Sequence, residues 1–366
     1  MQTKIIIKIN DDLNNIKSQW ESLYCKYNLS VFQSYEWTIA WFKEYGIDHG
    51  YHLFIIQFIE KDNIVGIFPL FIDKKKILRF IGDSLSDQCD FLIDYSNIDL
   101  YKIAKLFFNI IDEYSKDINA IEFNNLSINN KLIPYFETVK YRESLHFSSN
   151  TTSFTRLIKN NQFPYNIKNL NSYVRNELNR IYKKYSNFSN KIFTIADNPF
   201  PISTISVLKN IMILNKTRNK KLLNVSFLKI IEYLYNNNLI IINAIYDEND
   251  ALALNIITVT NDYYMFYIDL YKDIKYINLY SYIKFIKTIS ENSELFKENI
   301  SFGRGLYSYK IKNFKPIPEY LYTYIYSNRK LLTINNLKYI SSFMLYPIYK
   351  RIKNIINKTK TLTKIT

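Results

Sequence analysis

The chain has 366 residues, of which 48% are hydrophobic and 22% charged; it reads as an ordinary globular protein too long for most single cores, so two domains are expected. Two cysteines, Cys25 and Cys89, exclude a disulfide framework and fit a reducing compartment, and the lack of any eighteen-residue apolar run excludes a membrane-spanning helix on hydropathy. The net charge of +15 suits a polyanion, yet only nine of the 48 basic residues are arginine, the side chain whose fork grips phosphate at two points, and the excess of isoleucine, lysine, asparagine and tyrosine is what an AT-rich coding sequence would produce; nucleic acid is not the expected partner.

The opening MQTKIIIKINDD has an apolar stretch too short for a secretory leader, so a cytoplasmic protein is expected. Residues 14–27 set Ile16, Trp20, Leu23 and Tyr27 at helical spacing, and SYEWTIAWFKEY sets Trp37, Ala40, Trp41 and Tyr45 on one face of a second helix with Ser34 as N-cap. The period then changes: LFIIQFI, the turn EKDN and IVGIFPLF predict a β-hairpin. Short strands come next at ILRFIG and CDFLID, then a helix at LYKIAKLFFNIIDEY and a strand at NAIEF.

The second half repeats this order. Helices are predicted at ISTISVLKNIMILNK and VSFLKIIEYLYNNN, and a hairpin at LIIINAIY, DEND and ALALNIITV. The aromatic strand DYYMFYIDLY, a helix at NLYSYIKFIKTISEN and the strand NISFG complete it. Two copies of one α+β unit explain the length without long structureless loops. The expected division is a first domain over 1–160, a second over 161–330 with a linker helix at 165–187, and a tail over 331–366. On the linker helix Leu170, Tyr173, Val174, Leu178, Ile181 and Tyr185 form an apolar face opposite Arg175, Arg180, Lys183 and Lys184. The tail has seven basic residues and no acidic one, and Leu337, Ile340, Met344, Ile348 and Ile352 recur at helical spacing; it suits an anionic membrane surface, docking on the protein itself, or a frayed end.

Motifs exclude much chemistry. The three histidines, His49, His52 and His146, form no HExxH pattern and have no ligand-spaced partners, so no metal site is expected. There is no G-x-S-x-G elbow, no Walker loop and no G-x-G-x-x-G. What stands out is SFGRGLYSYK. The chain has six glycines; four lie at or before Gly82, and the other two, Gly303 and Gly305, flank Arg304 directly after a predicted strand. One glycine there is explained by a bulge; two around an arginine call for positive φ or close backbone approach.

G-x-G with YK after it near the chain end resembles the CelD/BcsL-like acyltransferases of cellulose biosynthesis, members of the GNAT superfamily and cousins of the FemABX aminoacyltransferases. FQSYEWTIAWFKEYG is similar to that family's N-terminal aromatic helix, IVGIFPLF to its lvGi-Pl strand and DQCDFLI to the acidic strand after its first hairpin. YVRNELNRIYKK is similar to its basic linker helix and YYMFYIDLY to its aromatic strand ending in Asp. The ordered set spans about residues 20–320. It departs from the family pattern in lacking an acidic residue before the glycine pair, where Ser301 and Phe302 stand, and in lacking glycine in the turn KDIKYIN, which in GNAT enzymes wraps the pyrophosphate of coenzyme A.

The resemblance implies two tandem GNAT-like units, each a mixed, mainly antiparallel sheet flanked by helices, and an acyl-CoA-dependent N-acyltransferase acting on an amine such as an amino sugar in cell-envelope polysaccharide synthesis. An amine attacks an acyl carbonyl, a base accepts the ammonium proton, and a backbone N–H freed where the aromatic strand splays serves as oxyanion donor. Asp269 is the expected base or amine anchor, with a turn or cap aspartate as the other reading. Lys310 is the expected charge stabiliser, with a solvated lysine as the other reading. Arg304 is expected to hold a carboxylate or phosphate, Asp90 to help bind the acceptor, and Tyr267 and Tyr309 to shape the cleft. Lys272, Lys275 and Asn278 are expected beside the phosphates of acyl-CoA, a co-substrate rather than a tightly bound cofactor. Two alternatives stand beside this reading: a FemABX-like transferase using aminoacyl-tRNA, and a non-catalytic GNAT pair used as a binding module.

Overall fold

The computed structural model describes residues 5–327, apart from 11–12, 28, 97, 128, 141–143, 160–163, 165–166, 169, 197–198, 215–223 and 306; the basic tail over 331–366 lies outside the described residues. The first half runs β1 (Ile5–Asn10), α1 (Lys17–Tyr27), α2 (Tyr35–Trp41), β2 (His52–Glu60), β3 (Asn63–Ile72), β4 (Ile77–Phe80), β5 (Leu92–Ile93), α3 (Leu100–Glu113), β6 (Ala120–Ser127), α4 (Ile133–Val139) and β7 (Ser144–Arg156). The connecting helix α5 (Ser172–Lys184) comes next. The second half runs β8 (Ser189–Phe193), α6 (Ile202–Leu214), α7 (Val225–Asn236), β9 (Ile240–Asp247), β10 (Asp250–Val259), β11 (Tyr263–Tyr271), α8 (Ile277–Glu291), β12 (Asn299–Ser301), α9 (Ser308–Phe314) and β13 (Ile317–Ser327).

Local chemistry sets these elements. Ser34 caps α2, its Oγ accepting from the Trp37 amide at 3.0 Å, and Asp99, Asn171 and Asn224 cap α3, α5 and α7 in the same way. The β2–β3 turn is tight because Lys61 and Asp62 both take positive φ, the primed geometry that matches strand twist. On α5, Val174, Leu178, Ile181 and Tyr185 are buried as expected, but Tyr173 is 67% exposed and belongs to the solvent face.

All the strands join one mixed sheet, in the order β1-β2-β3-β4-β6-β13-β7-β12-β11-β10-β9-β8, with β5 paired to β3. Among the described strands, only β4–β6 and β11–β12 are parallel pairs. Replacing β1 by β8, β2 by β9, β3 by β10, β4 by β11, β6 by β12 and β7 by β13 returns the same order in reverse, so the halves share one topology. The closing strands are exchanged at the centre: β13 lies against first-half β6, and β7 against second-half β12. Helices α1, α2, α6 and α7 share one face of the sheet over a core that includes Trp20, Trp37, Phe227 and Leu234 from both halves. On the other face α3 and α4 cover the first half, and α5, α8 and α9 the second. Among the described residues no helix is long and apolar enough to cross a membrane.

Candidate functional site

Parallel strands β11 and β12 pair only from Tyr263–Asn299 to Met265–Ser301. There β12 ends and the chain turns off through Gly303 and Gly305, while β11 continues to Tyr271 with β10 as its one remaining strand neighbour. The wedge so opened holds a cavity of about 500 Å³. Its walls are Phe266, Tyr267, Asp269 and Tyr271 of β11, Asn278 of α8, the segment Phe302, Arg304, Tyr307, Tyr309 and Lys310, and Leu85 and Asp87 from the first half. Asp269, Lys310, Arg304, Tyr267, Tyr309 and Asn278, singled out in sequence, are therefore brought together.

Asp269 reaches the α8 side of the sheet because of an irregularity in β11. Ile257 opposes Phe266 but Ile256 opposes Ile268, so Tyr267 is an extra residue on β11. Strict alternation would put Asp269 on the same face as Met265, in the core under α1, α2, α6 and α7. The extra residue reverses the alternation beyond it: Ile268 and Leu270 enter that core, and Asp269 faces α8. Its carboxylate is only 8% exposed and has a donor on each oxygen, Asn255 Nδ2 to Oδ1 at 3.0 Å and the Tyr282 hydroxyl to Oδ2 at 2.7 Å. Burial first, then the neighbouring Asp269 carboxylate, push the Tyr282 phenol well above its ordinary pKa, so it stays a donor. The Tyr282 and Tyr309 hydroxyls are 3.4 Å apart.

The glycines answer a packing demand. Gly303 has φ +65°, and a Cβ there would lie 2.5 Å from the Phe266 carbonyl oxygen and 2.8 Å from Asp87 Oδ2. Gly305 has φ +92°, and its amide donates to the Thr151 carbonyl of β7 at 2.7 Å. Between them the Arg304 amide donates to Asp87 Oδ2 at 2.9 Å, and its guanidinium Nε lies 3.6 Å from Asp87 Oδ1. Lys310 is 4% exposed; its ammonium donates to the Phe302 carbonyl and sits 5.1 Å from the Tyr307 ring centre. The solvated reading of Lys310 and the turn reading of Asp269 are thus corrected: both side chains are buried in a cavity wall.

Three expected residues lie elsewhere. Asp90 is outside the cavity lining; its carboxylate accepts from the Phe91 amide at 2.8 Å and from Asn130 Nδ2, and burial raises its pKa to about 7. The first-half carboxylate that reaches the cavity is Asp87, in the same stretch. Lys272 is held by both Asp250 oxygens at 2.5 Å, and Lys275 lies over the Tyr276 ring at 5.2 Å, so neither lines the cavity. Asn278 borders a second cavity of about 440 Å³, with Tyr276, Leu279, Ser308, Tyr309, Asn313 and the Glu177–Lys312 ion pair at 3.3 Å. The first turn of α8 forms part of its wall, entered through Tyr276 at φ +68° without a side-chain cap. Sequence reasoning missed Asp87, Tyr282, Asn255 and Asn243; the only local signal was the acidic stretch SDQCD. Among the described residues no group of three or more His, Cys, Asp or Glu side chains is placed to hold a metal ion.

No protein-family model matches the chain, and no curated protein matches it in sequence. Solved structures do resemble it in fold. FemX is similar over 90% of this chain and 98% of its own, at TM-score 0.62 and 10% identity. The C-terminal domain of an Agrobacterium fabrum protein assigned as a lysylphosphatidylglycerol synthetase is similar over 90% and 96%, at TM-score 0.55 and 9% identity. A tandem GNAT protein from the clavulanic acid biosynthesis pathway is similar over 88% and 98%, at TM-score 0.50 and 7% identity. These likenesses show the fold: a tandem GNAT-like α+β architecture similar to that of FemX.

Proposed function

We propose that this protein is an N-acyltransferase whose reaction takes place in the β11–β12 wedge. The observation that carries the reading is the meeting of Asp269, Lys310 and Arg304 in one cavity where parallel strands part, on a GNAT-like fold. The amine of the acceptor attacks the carbonyl carbon of an activated acyl group, the bond to the leaving sulfur or oxygen breaks, and the proton shed by the ammonium passes to Asp269. Lys310 and backbone amides of β11 beyond Met265, on the side that β12 has left, supply positive charge and donors for the oxyanion. Arg304, steadied by Asp87, presents its guanidinium to an anionic group of the substrate.

The donor is an acyl-CoA and the acceptor an amine such as an amino sugar of cell-envelope polysaccharide; the resemblance to the CelD/BcsL-like acetyltransferases supports both. A diphosphate fits the second cavity through the first amides of α8, Asn278 and Lys312, and not through Lys272, which Asp250 holds. A cytoplasmic reaction is supported by the scarcity of cysteine; contact of the basic tail with an anionic membrane belongs to the same proposal and is checked by vesicle co-sedimentation that truncation at residue 330 should abolish.

A second reading, transfer from aminoacyl-tRNA, is favoured by the net charge of +15 and by the fold likeness to FemX. The test is thiol release from acetyl-CoA with glucosamine as acceptor, together with thermal stabilisation by CoA. Release that Asp269→Asn lowers by about a hundredfold or more is the expected result. A melting point unmoved by CoA, with tRNA affinity that falls steeply with salt, selects the second reading. Neither response leaves the non-catalytic binding module.

A further inference from the structure

Two amides buried to 0% exposure, Asn243 on β9 and Asn255 on β10, have no part in that mechanism, yet they lead directly to it. Asn243, Asn255 and Asp269 are direct cross-strand neighbours on three adjacent strands. Asn243 Nδ2 donates to Asn255 Oδ1 at 2.9 Å and to the Ser281 carbonyl of α8 at 3.2 Å, and Asn255 Nδ2 donates onward to Asp269 Oδ1 at 3.0 Å. The chain of hydrogen bonds has a fixed direction. Turning the Asn255 amide over would bring its oxygen against a carboxylate oxygen and its nitrogen against the Asn243 donor.

Asparagine is depleted from strands, and burying an amide is unfavourable unless it is fully bonded. Here the bonding is incomplete, because Asn243 Oδ1 has no hydrogen-bond partner among the described residues. The ladder is therefore a poor device for stability. The equivalent strands of the first half, β2, β3 and β4, bury one amide, Gln57, and carry no buried carboxylate. The buried asparagine ladder occurs where there is a carboxylate to aim.

We infer that Asn255, backed by Asn243, is a positioning residue that fixes which way the Asp269 carboxylate faces the cavity. Its effect on turnover rests on the acyl-transfer reading; the positioning itself does not. Isotope-edited infrared difference spectra, each protein against its Asp269→Asn counterpart, isolate the Asp269 carboxylate stretch in the full chain. Asn255→Leu should move that band to higher frequency, since a donor is lost. With acetyl-CoA and glucosamine, kcat should fall at least about tenfold while KM stays within about twofold, and the same change in an Asp269→Asn background should cost nothing further. An unmoved band, or equal losses in both backgrounds, overturns the inference. Should Asn255→Leu fail to fold, Asn255→Val, smaller, suited to a strand and without a side-chain donor, carries the same two readings. Should the unaltered protein transfer no acyl group, the infrared band alone decides the inference, and the acyl-transfer reading fails separately.

Discussion

In the first half β4 and β6 run parallel over Ile77–Leu78 and Ala120–Ile121 and then part, as β11 and β12 do in the second. The first wedge is filled from within. Arg79 bridges Asp73 at 3.2 Å, Asp83 at 3.4 Å and Glu122 at 2.7 Å, and Asn124 donates to Asp83 and Glu122. Beyond them Cys89 bridges to Leu126 and β5 pairs with β3, so the loop takes the place of a strand. The strand-to-helix link decides the contrast: residues 81–99 in the first half, only 272–276 in the second. A long link can fold back and close its own wedge; a short one leaves it open. The first half also sends Leu85 and Asp87 across to the open cavity, so it acts as scaffold and as wall.

The contrast can be broken from either side. Arg79→Leu removes the cation between three carboxylates and should cost about 3–5 kcal/mol in urea melts, with acyl transfer per folded molecule unchanged; a stable but inactive variant would make the first wedge functional. In the second wedge Asp269→Asn should lower transfer by about a hundredfold or more with little change in melting temperature, as expected for loss of a base. Gly303→Ala should cost about 2–4 kcal/mol, combining a left-handed backbone with the contact on the Phe266 carbonyl; an unchanged melt would show that the loop has room to spare. Lys310→Ala should lower transfer about tenfold, and equal rates would remove its role.

The mildest perturbation, a change of pH, concerns Asp90. Its pKa rises on folding to about 7, so its protonated form favours the native state; that contribution is complete below about pH 4 and is lost as pH rises through 7. The protein should be more stable at pH 5 than at pH 8 by about 2–3 kcal/mol, and Asp90→Asn should flatten that slope.

Periodic apolar stretches made most helices and both hairpins legible, and the late glycine pair pointed to the cavity. The central strands were not legible. In β7, Thr152, Ser153 and Thr155 are buried although polar, Thr155 donating to the Phe314 carbonyl, so no alternation of apolar residues marks the strand. The link Tyr271–Tyr276 lacks glycine, yet Tyr276 itself adopts positive φ, a conformation that residue identity does not advertise. The extra residue at Tyr267 leaves no trace in composition either, and it alone decides which face Asp269 occupies.

The crossing of β7 and β13 also has a meaning in time. A ribosome releases β6 and β7 in the first 156 residues, but β13, the strand that separates them in the finished sheet, ends at Ser327. Through the making of roughly half the chain the second native strand partner of β6 does not yet exist, and nascent or truncated chains present an unsatisfied strand border to chaperones and to each other.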